Sequence, residues 1–290
     1  MNDKSRRFPD WLKVRIPGGE RFHELKTLMR SLNLHTVCED ALCPNIAECW
    51  GRGVATFMIL GDVCTRSCGY CAVKSGKPTE LDPWEAVKVA DAVRKMGLRH
   101  VVVTSVDRDD LADGGAGVFA STIAQIRRLN PECAVEVLIP DFRGDAVALR
   151  TVVDAAPDIL NHNIETVPRL YRRARSGGKY PRSIGLLRDA KAWRPLMVTK
   201  TGMMLGLGES REEIVQVMRD LVAAGVQILT LGQYLQPTRG HLPVDRFYHP
   251  DEFKELKVLG EALGFEHVEA GPLVRSSYQA DKQFELVRGQ

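Results

Sequence analysis

The strongest constraint on the fold is an alternation. Short apolar runs at 55–60, 100–104, 134–139, 159–163, 197–203 and 228–232 read as strands, and helical patterns follow them. Six strand–helix units in series demand parallel strands joined by right-handed crossovers. An open doubly wound sheet or a barrel satisfies this. Polar residues and glycines recur at the C-terminal strand ends, the face where a barrel carries its site. Six units rather than eight predict an α/β fold with a partial, TIM-type (β/α)6 barrel, splayed enough to admit a large substrate. The segmentation expected is 1–53 as an N-terminal extension, 54–249 as the barrel and 250–290 as a C-terminal extension. In the first, Phe8, Trp11 and Leu12 are expected to pack on the body, and a helix is expected over 23–31. Asp82-Pro83-Trp84-Glu85 reads as a helix start, with Asp82 as cap and Glu85 reaching back. Ser210-Arg211-Glu212-Glu213 reads as a capping box, and a helix over 251–263 with a strand over 265–269 closes the chain.

Six of the seven cysteines fall between Cys38 and Cys71, in two triplets. Cys38, Cys43 and Cys49 are spaced C-x4-C-x5-C, and Cys64, Cys68 and Cys71 are spaced C-x3-C-x2-C. The second triplet hangs off the end of the first strand. Three thiolates on one short loop hold three irons of a cubane, whereas clusters that only carry electrons normally take four protein thiolates. The iron left open marks a catalytic site, as an open position does at zinc. It can chelate the amino and carboxylate groups of S-adenosylmethionine, and one electron then cleaves the sulfonium to give a 5′-deoxyadenosyl radical. The protein's share is to hold the reactive atom against the substrate and keep side reactions out. Tyr70, just before the last cysteine, fits this reading. The competing readings are disulfides, which need an oxidising compartment, and zinc on His35, Cys38, Cys43 and Cys49. Cys133 reads as an inert core residue.

Apolar content of 44% and charged content of 27% describe a globular chain with a sizeable core. A formal net charge of +3 is too small to argue for nucleic acid. No apolar run reaches the roughly 20 residues of a membrane span. Arg6-Arg7 has no apolar stretch behind it, so neither a secretory nor a twin-arginine signal is expected. A cytoplasmic, reducing location suits iron-bound thiolates.

Further candidates sit at strand ends. Thr104, Ser105 and Asp107, with Gly114 and Gly115 behind them, offer backbone amides and a close approach to a cofactor. Asn163 and Glu165 offer amide and carboxylate groups for ribose hydroxyls or an amino group. His162 reads as a satisfied core group. Lys200 is expected in the barrel or at its mouth with an anionic partner. Met203 and Met204 read as core before channel lining. The basic run Tyr171-Arg172-Arg173-Ala174-Arg175, with Lys179 and Arg182, reads as a solvated face or a surface for an acidic partner domain.

The chain resembles the lipoyl synthases of the radical S-adenosylmethionine superfamily. The resemblance runs from Trp11-Leu12-Lys13 through Cys38-Glu39-Asp40-Ala41-Leu42-Cys43-Pro44-Asn45-Ile46-Ala47-Glu48-Cys49-Trp50 to Arg275-Ser276-Ser277-Tyr278. Ser105-Val106-Asp107-Arg108-Asp109-Asp110 and Asn161-His162-Asn163-Ile164-Glu165-Thr166 match as well. The resemblance implies two 4Fe–4S clusters, the second an auxiliary cluster on Cys38, Cys43 and Cys49. It also implies a serine ligand to that cluster, Ser277 by position with Ser276 as the alternative. The implied reaction inserts sulfur at C6 and C8 of an octanoyl chain amide-linked to a lysine of a lipoyl carrier domain. That domain belongs to a 2-oxoacid dehydrogenase E2 component or a glycine cleavage H protein. The auxiliary cluster gives up its sulfur, so an electron donor such as flavodoxin or ferredoxin and a cluster-repair protein are implied too. Gln279 stands where many relatives carry histidine. A biotin-synthase-like enzyme is the alternative, and the first triplet and the serine motif argue against it.

Overall fold

The six expected strands all form and lie side by side in chain order. The computed structural model describes residues 8–13, 20–32, 34–40, 43, 45–51, 56–78 and 81–289. Its strands are β1 (His35–Thr36), β2 (Thr56–Ile59), β3 (Val63–Cys64), β4 (Lys74–Ser75), β5 (His100–Ser105), β6 (Ala134–Leu138), β7 (Ile159–Asn161), β8 (Val198–Leu205), β9 (Ile228–Gln233) and β10 (His267–Gly271). The main sheet runs β1-β2-β5-β6-β7-β8-β9-β10. Every neighbouring pair from β2 to β10 is parallel, and β1 lies antiparallel on β2. Among the described residues no ladder joins β1 to β10, so the sheet stays open at that seam. β1 belongs to the N-terminal segment and β10 to the C-terminal one, so both extensions share the barrel's sheet. Ala55 and Pro44 lie outside the described residues.

The sheet curves strongly. The helix Ala280–Arg288 touches both β5 and β10. In a flat sheet at ~4.8 Å per strand those two would stand about 24 Å apart. A helix of nine residues spans only about 13 Å. Phe284 and Val287 of this helix pack on Ile159, Val198 and Ile228, the opening residues of β7, β8 and β9. The C-terminal helix therefore plugs the end of the barrel opposite the strand C-termini. It is absent from the sequence reading because its apolar face is so short.

The helices follow their local signals with small shifts. Ser210 accepts from the Glu213 amide and Glu213 from the Ser210 amide, the expected box. The start at Asp82 differs. Asp82 caps a turn by accepting from the Trp84 amide at 2.9 Å, and the helix Glu85–Met96 begins after it. Glu85 does not reach back. Its buried carboxylate instead accepts from the Leu60 amide at 2.8 Å, tying the helix to the exit of β2. Leu60 itself sits at φ +70° and Gly61 at +88°, a sharp turn at the entry to the second cysteine triplet. At the N-terminus, Phe8 meets Phe247 edge-on and Trp11 meets His249, while Leu12 is buried.

Candidate active site

The loop Cys64–Cys71 lies across the C-terminal strand ends, and a network of charges fixes it there. Arg66 is only 5% exposed and holds three carboxylates. It donates to both oxygens of Asp109 at 2.7 and 2.8 Å and to Asp141 at 2.7 Å, and lies 3.3 Å from Asp107. Burial would raise the Asp141 pKa, but Arg66 and Arg182 hold it well below the usual carboxylate range. Thr65 adds two bonds to the Asp107 carbonyl and takes one from the Asp109 amide. On the far side, the Gly69 amide donates to the Ala174 carbonyl and the Gly69 carbonyl accepts from the Leu242 amide, both at 2.8 Å. A Cβ on Gly69 would stand 2.9 Å from the Leu242 side chain and 3.2 Å from the Arg173 carbonyl oxygen, so glycine permits this close approach. His241 bonds the Cys71 carbonyl through Nε2 and Thr238 through Nδ1, each at 2.8 Å.

All six triplet cysteines are free thiols. Burial pushes Cys68 up to about 11 and Cys71 up to about 12, and raises Cys64 as well. Thiolates held here need a bound cation to offset the loss of water. Three thiols free of disulfides on one pinned loop form a donor set that fits three irons of a cubane. Among the described residues, no three His, Cys, Asp or Glu side chains gather tightly enough around one point for a single ion.

Two cavities open beside the loop. The smaller, about 120 Å³, is lined by Cys68, Thr104, Ser105, Asp107 and Arg175 among others. The larger, about 330 Å³, is lined by Cys71, Met203, Met204, Leu235, Val274 and Ser276 among others. Tyr70, Asn163 and Glu165 belong to both and form the wall between them. Ser105 Oγ, beside the smaller cavity, and Asn163 Oδ1, in the wall, are buried with no hydrogen-bond partner. Glu165 is bonded by Asn163 and the Tyr70 hydroxyl. Burial raises its pKa although Arg175 stands nearby, and burial raises Asp107 likewise.

Three of the expected cofactor contacts, Lys200, Gly114 and Gly115, do not line either cavity. Lys200 is fully buried below the cavities, 3.0 Å from Glu136. Burial would raise Glu136, but Lys200 and His100 hold it down at about 2. This closed ion pair forms the floor under the site and does not line it. A Cβ on Gly114 would meet Phe142, and one on Gly115 would overlap Leu60, so these glycines serve helix entry and packing. The Met pair packs as the core-first reading has it, Met203 within the core and Met204 against it, and both also border the larger cavity. The basic run divides: Arg172 and Arg173 are exposed, while Arg175 is buried and bonds the Asn163 carbonyl at 2.6 Å. His162 is a core group as expected. Burial and Arg175 lower its pKa to about 3, so neutral Nδ1–H donates to Ile139 and Nε2 accepts from Ser183. Cys133 is buried just ahead of β6, its pKa pushed up to about 12 by burial. Arg66, Asp141, Arg175 and the 236–242 loop were missed, since no local pattern marks them.

The first triplet meets the C-terminal tail. Asn45 Nδ2 donates to the Leu273 carbonyl at 2.6 Å, and the Tyr278 hydroxyl bonds Glu48, next to Cys49, at 3.1 Å. Arg275 acts electrostatically on Cys43. Burial pushes Cys38 up to about 11 and raises Cys43. His35 acts on Asp62 and Glu85. Ser276 accepts from Asn163 Nδ2 at 3.1 Å and so faces the larger cavity.

Two protein-family models match the chain. Residues 58–221 match the model of the radical SAM superfamily, and residues 1–43 match that of the N-terminal domain of lipoyl synthase. The chain is 62% identical to lipoyl synthase of Rubrobacter xylanophilus over 97% of its own length and 87% of that protein's. It is 60% identical to the Symbiobacterium thermophilum lipoyl synthase, over 97% and 88% respectively. Among solved structures, the fold is similar to methylornithine synthase (TM-score 0.55, 15% identity, covering 87% of this chain and 83% of that one). It is also similar to Streptococcus suis SuiB bound to S-adenosylmethionine (TM-score 0.54, 12% identity, covering 83% and 56%). The chain belongs to the lipoyl synthase family of radical S-adenosylmethionine enzymes, which work with a 4Fe–4S cluster and S-adenosylmethionine.

Proposed function

We propose that this chain inserts sulfur at C6 and C8 of an octanoyl chain carried as a lysine amide on a lipoyl carrier domain. The observation that carries the reading is the path of the C-terminal tail. Ser276 lines the same cavity as Cys71, while Tyr278 bonds the residue beside Cys49. One segment thus touches the surroundings of both cysteine triplets. When bound, a cluster on Cys64, Cys68 and Cys71 with S-adenosylmethionine supplies a carbon-centred radical, and an auxiliary cluster on Cys38, Cys43 and Cys49 supplies sulfide.

The chain's own residues hold and shield. Tyr70, Thr104, Ser105, Asp107, Asn163 and Glu165 line the space beside the radical-generating loop, with Ser105 Oγ and Asn163 Oδ1 buried and unpaired within that lining. Met203, Met204, Leu235 and Val274 give the larger cavity the apolar surface an aliphatic chain needs. Ser276 is engaged by Asn163, so Ser277 is the serine we assign to the auxiliary cluster. Partners follow from the chemistry: an octanoylated E2 or H-protein domain, a flavodoxin or ferredoxin donor, and a cluster-repair protein, all in the cytoplasm.

The test is anaerobic turnover on an octanoyl-lysyl peptide, followed by mass spectrometry. Product from this peptide and none from dethiobiotin is expected. Ser277→Ala should still release 5′-deoxyadenosine but insert no sulfur. Normal lipoyl product from that variant removes Ser277 from the ligand set.

A further inference from the structure

The loop Cys64–Cys71 is flanked by cations that the fold leaves uncompensated. Lys77, Arg172, Arg173, Lys179 and Arg239 are exposed. Among the described residues, none of these side chains makes an ion pair or a hydrogen bond. Backbone contacts bring their segments to the loop. The amide of Gly76, just before Lys77, donates to the Cys64 carbonyl at 2.9 Å. A Cβ on Gly69 would stand 3.2 Å from the Arg173 carbonyl oxygen, and one on Gly177 would stand 3.3 Å from Arg66. His241, two residues beyond Arg239, holds the Cys71 carbonyl. The acids of this region are already engaged: Asp62 by Lys74, and Asp107, Asp109 and Asp141 by Arg66. The exposed Asp245 lies against Gly208 instead.

The chain carries this concentration although its net charge is only +3. Such a face attracts an acidic protein over distance and orients it on contact. Two observations choose the partner. First, none of the five cations lines either cavity, and the segment 171–179 adds nothing to the larger one. The face therefore borders the cysteine loop and not the space suited to an aliphatic chain. Second, it stands one residue from Cys68, through Gly69. Another concentration of arginines, Arg127, Arg194 and Arg288 near the plug helix, lies at the opposite strand ends. Those ends are about 20 Å away along the six residues of β5, and electron transfer falls steeply with distance.

We propose that Lys77, Arg172, Arg173, Lys179 and Arg239 dock an acidic protein carrying a one-electron redox centre, so that its electron enters through the Cys64–Cys71 loop. This rests on the reading of that loop as the seat of a reducible 4Fe–4S cluster. The docked protein loses one electron and the cluster gains it, with no bond formed or broken. The five residues bind and orient the donor and take no part in the chemistry.

The experiment uses the full chain, reconstituted anaerobically with iron and sulfide, and a strongly acidic flavodoxin as probe. Association is measured by calorimetry with oxidised flavodoxin, and electron transfer by stopped-flow absorbance of the flavin hydroquinone. Arg172→Glu combined with Arg173→Glu is expected to weaken association about tenfold at about 0.1 M salt. Most of that difference should vanish at about 1 M, where the screening length falls from about 10 to about 3 Å. Arg172→Lys with Arg173→Lys should keep association within about twofold, because the charge is retained. Reduction by methyl viologen radical, a small cation that gains nothing from a basic face, should proceed alike in all variants. Unchanged association in the Glu variant, or no salt-dependent association in wild type, overturns the proposal. Equal slowing with viologen also overturns it, since damage to the loop then explains the loss. Weakened binding of an octanoylated carrier domain with flavodoxin binding intact overturns it too, by giving the face to the carrier. A reconstituted wild-type chain that binds no iron would instead sink the cluster reading, and the inference with it.

Discussion

Replacing Arg66 with methionine should detach the radical-generating loop. The guanidinium makes three short donations to Asp109 and Asp141 and a longer contact to Asp107. Removing one member of a buried ion network costs about 3–5 kcal/mol, because the remaining charges stay behind. Asp141 is fully buried and keeps Arg182, while Asp107 and Asp109 are 23% and 31% exposed and regain some water. The lower end, about 3 kcal/mol, is therefore the better figure. At about 1.4 kcal/mol per factor of ten, the loop-open fraction should rise about a hundredfold. The assay is iron binding to a chain in which Cys38, Cys43 and Cys49 are all alanine, so that only the second triplet reports. Arg66→Met should bind iron weakly, and Arg66→Lys should fall between, since an ammonium cannot match the fork to several carboxylates. Wild-type iron content and an unchanged denaturation midpoint in Arg66→Met would refute the reasoning.

His162 is neutral in the fold, with a pKa near 3 against an ordinary 6.5. Its contribution is complete above pH 6.5 and declines as acid protonates the unfolded chain, by about 1.4 kcal/mol per pH unit down towards pH 3. Denaturation across that range should show a flatter acid limb in His162→Gln, and parallel limbs would contradict the assignment. Phe284→Ala should cost about 3 kcal/mol by emptying the plug beneath β7, β8 and β9. Iron content should be retained, because the plug lies at the strand end away from the cysteines; a denaturant midpoint and an iron assay check both halves.

The cysteine spacings and the strand-to-helix alternation were legible because they are local. Lys200 shows where legibility stops. Its side chain does turn inward, as the period-two pattern of a strand requires. Gly202 and Met204, on the same face of β8, line the larger cavity, but Lys200 lies one step deeper. At about 3.3 Å per residue it sits roughly 7 Å below Gly202. Sequence gives the face and not the depth, and depth decides between a ligand contact and a closed floor. Arg66 and Arg175 were hidden for another reason. Arg66 acts through carboxylates that follow separate strands, and Arg175 through Asn163, His162 and the helix residue Ser183, and only the fold brings those together.

The shared wall shows the same limit in the backbone. β7 is only three residues long, yet its pairing with β8 continues irregularly. The His162 amide donates to the Lys200 carbonyl, and the Glu165 amide to the Gly202 carbonyl. Three steps on one strand thus answer two on its neighbour, the count of a bulge. Glu165 takes φ +67°, a conformation costly for a residue with a side chain. Its amide and carbonyl are both engaged, the latter by Met204 at 2.9 Å, so the neighbours over-determine the strained geometry. The bulge also crowds Asn163 Oδ1 to 2.8 Å from where a Cβ on residue 202 would stand. Glycine at 202 is what lets the wall between the cavities close. Asn163 and Glu165 were thus readable as polar residues at a strand end, while their position between two cavities depends on strain and on a missing Cβ in the next strand.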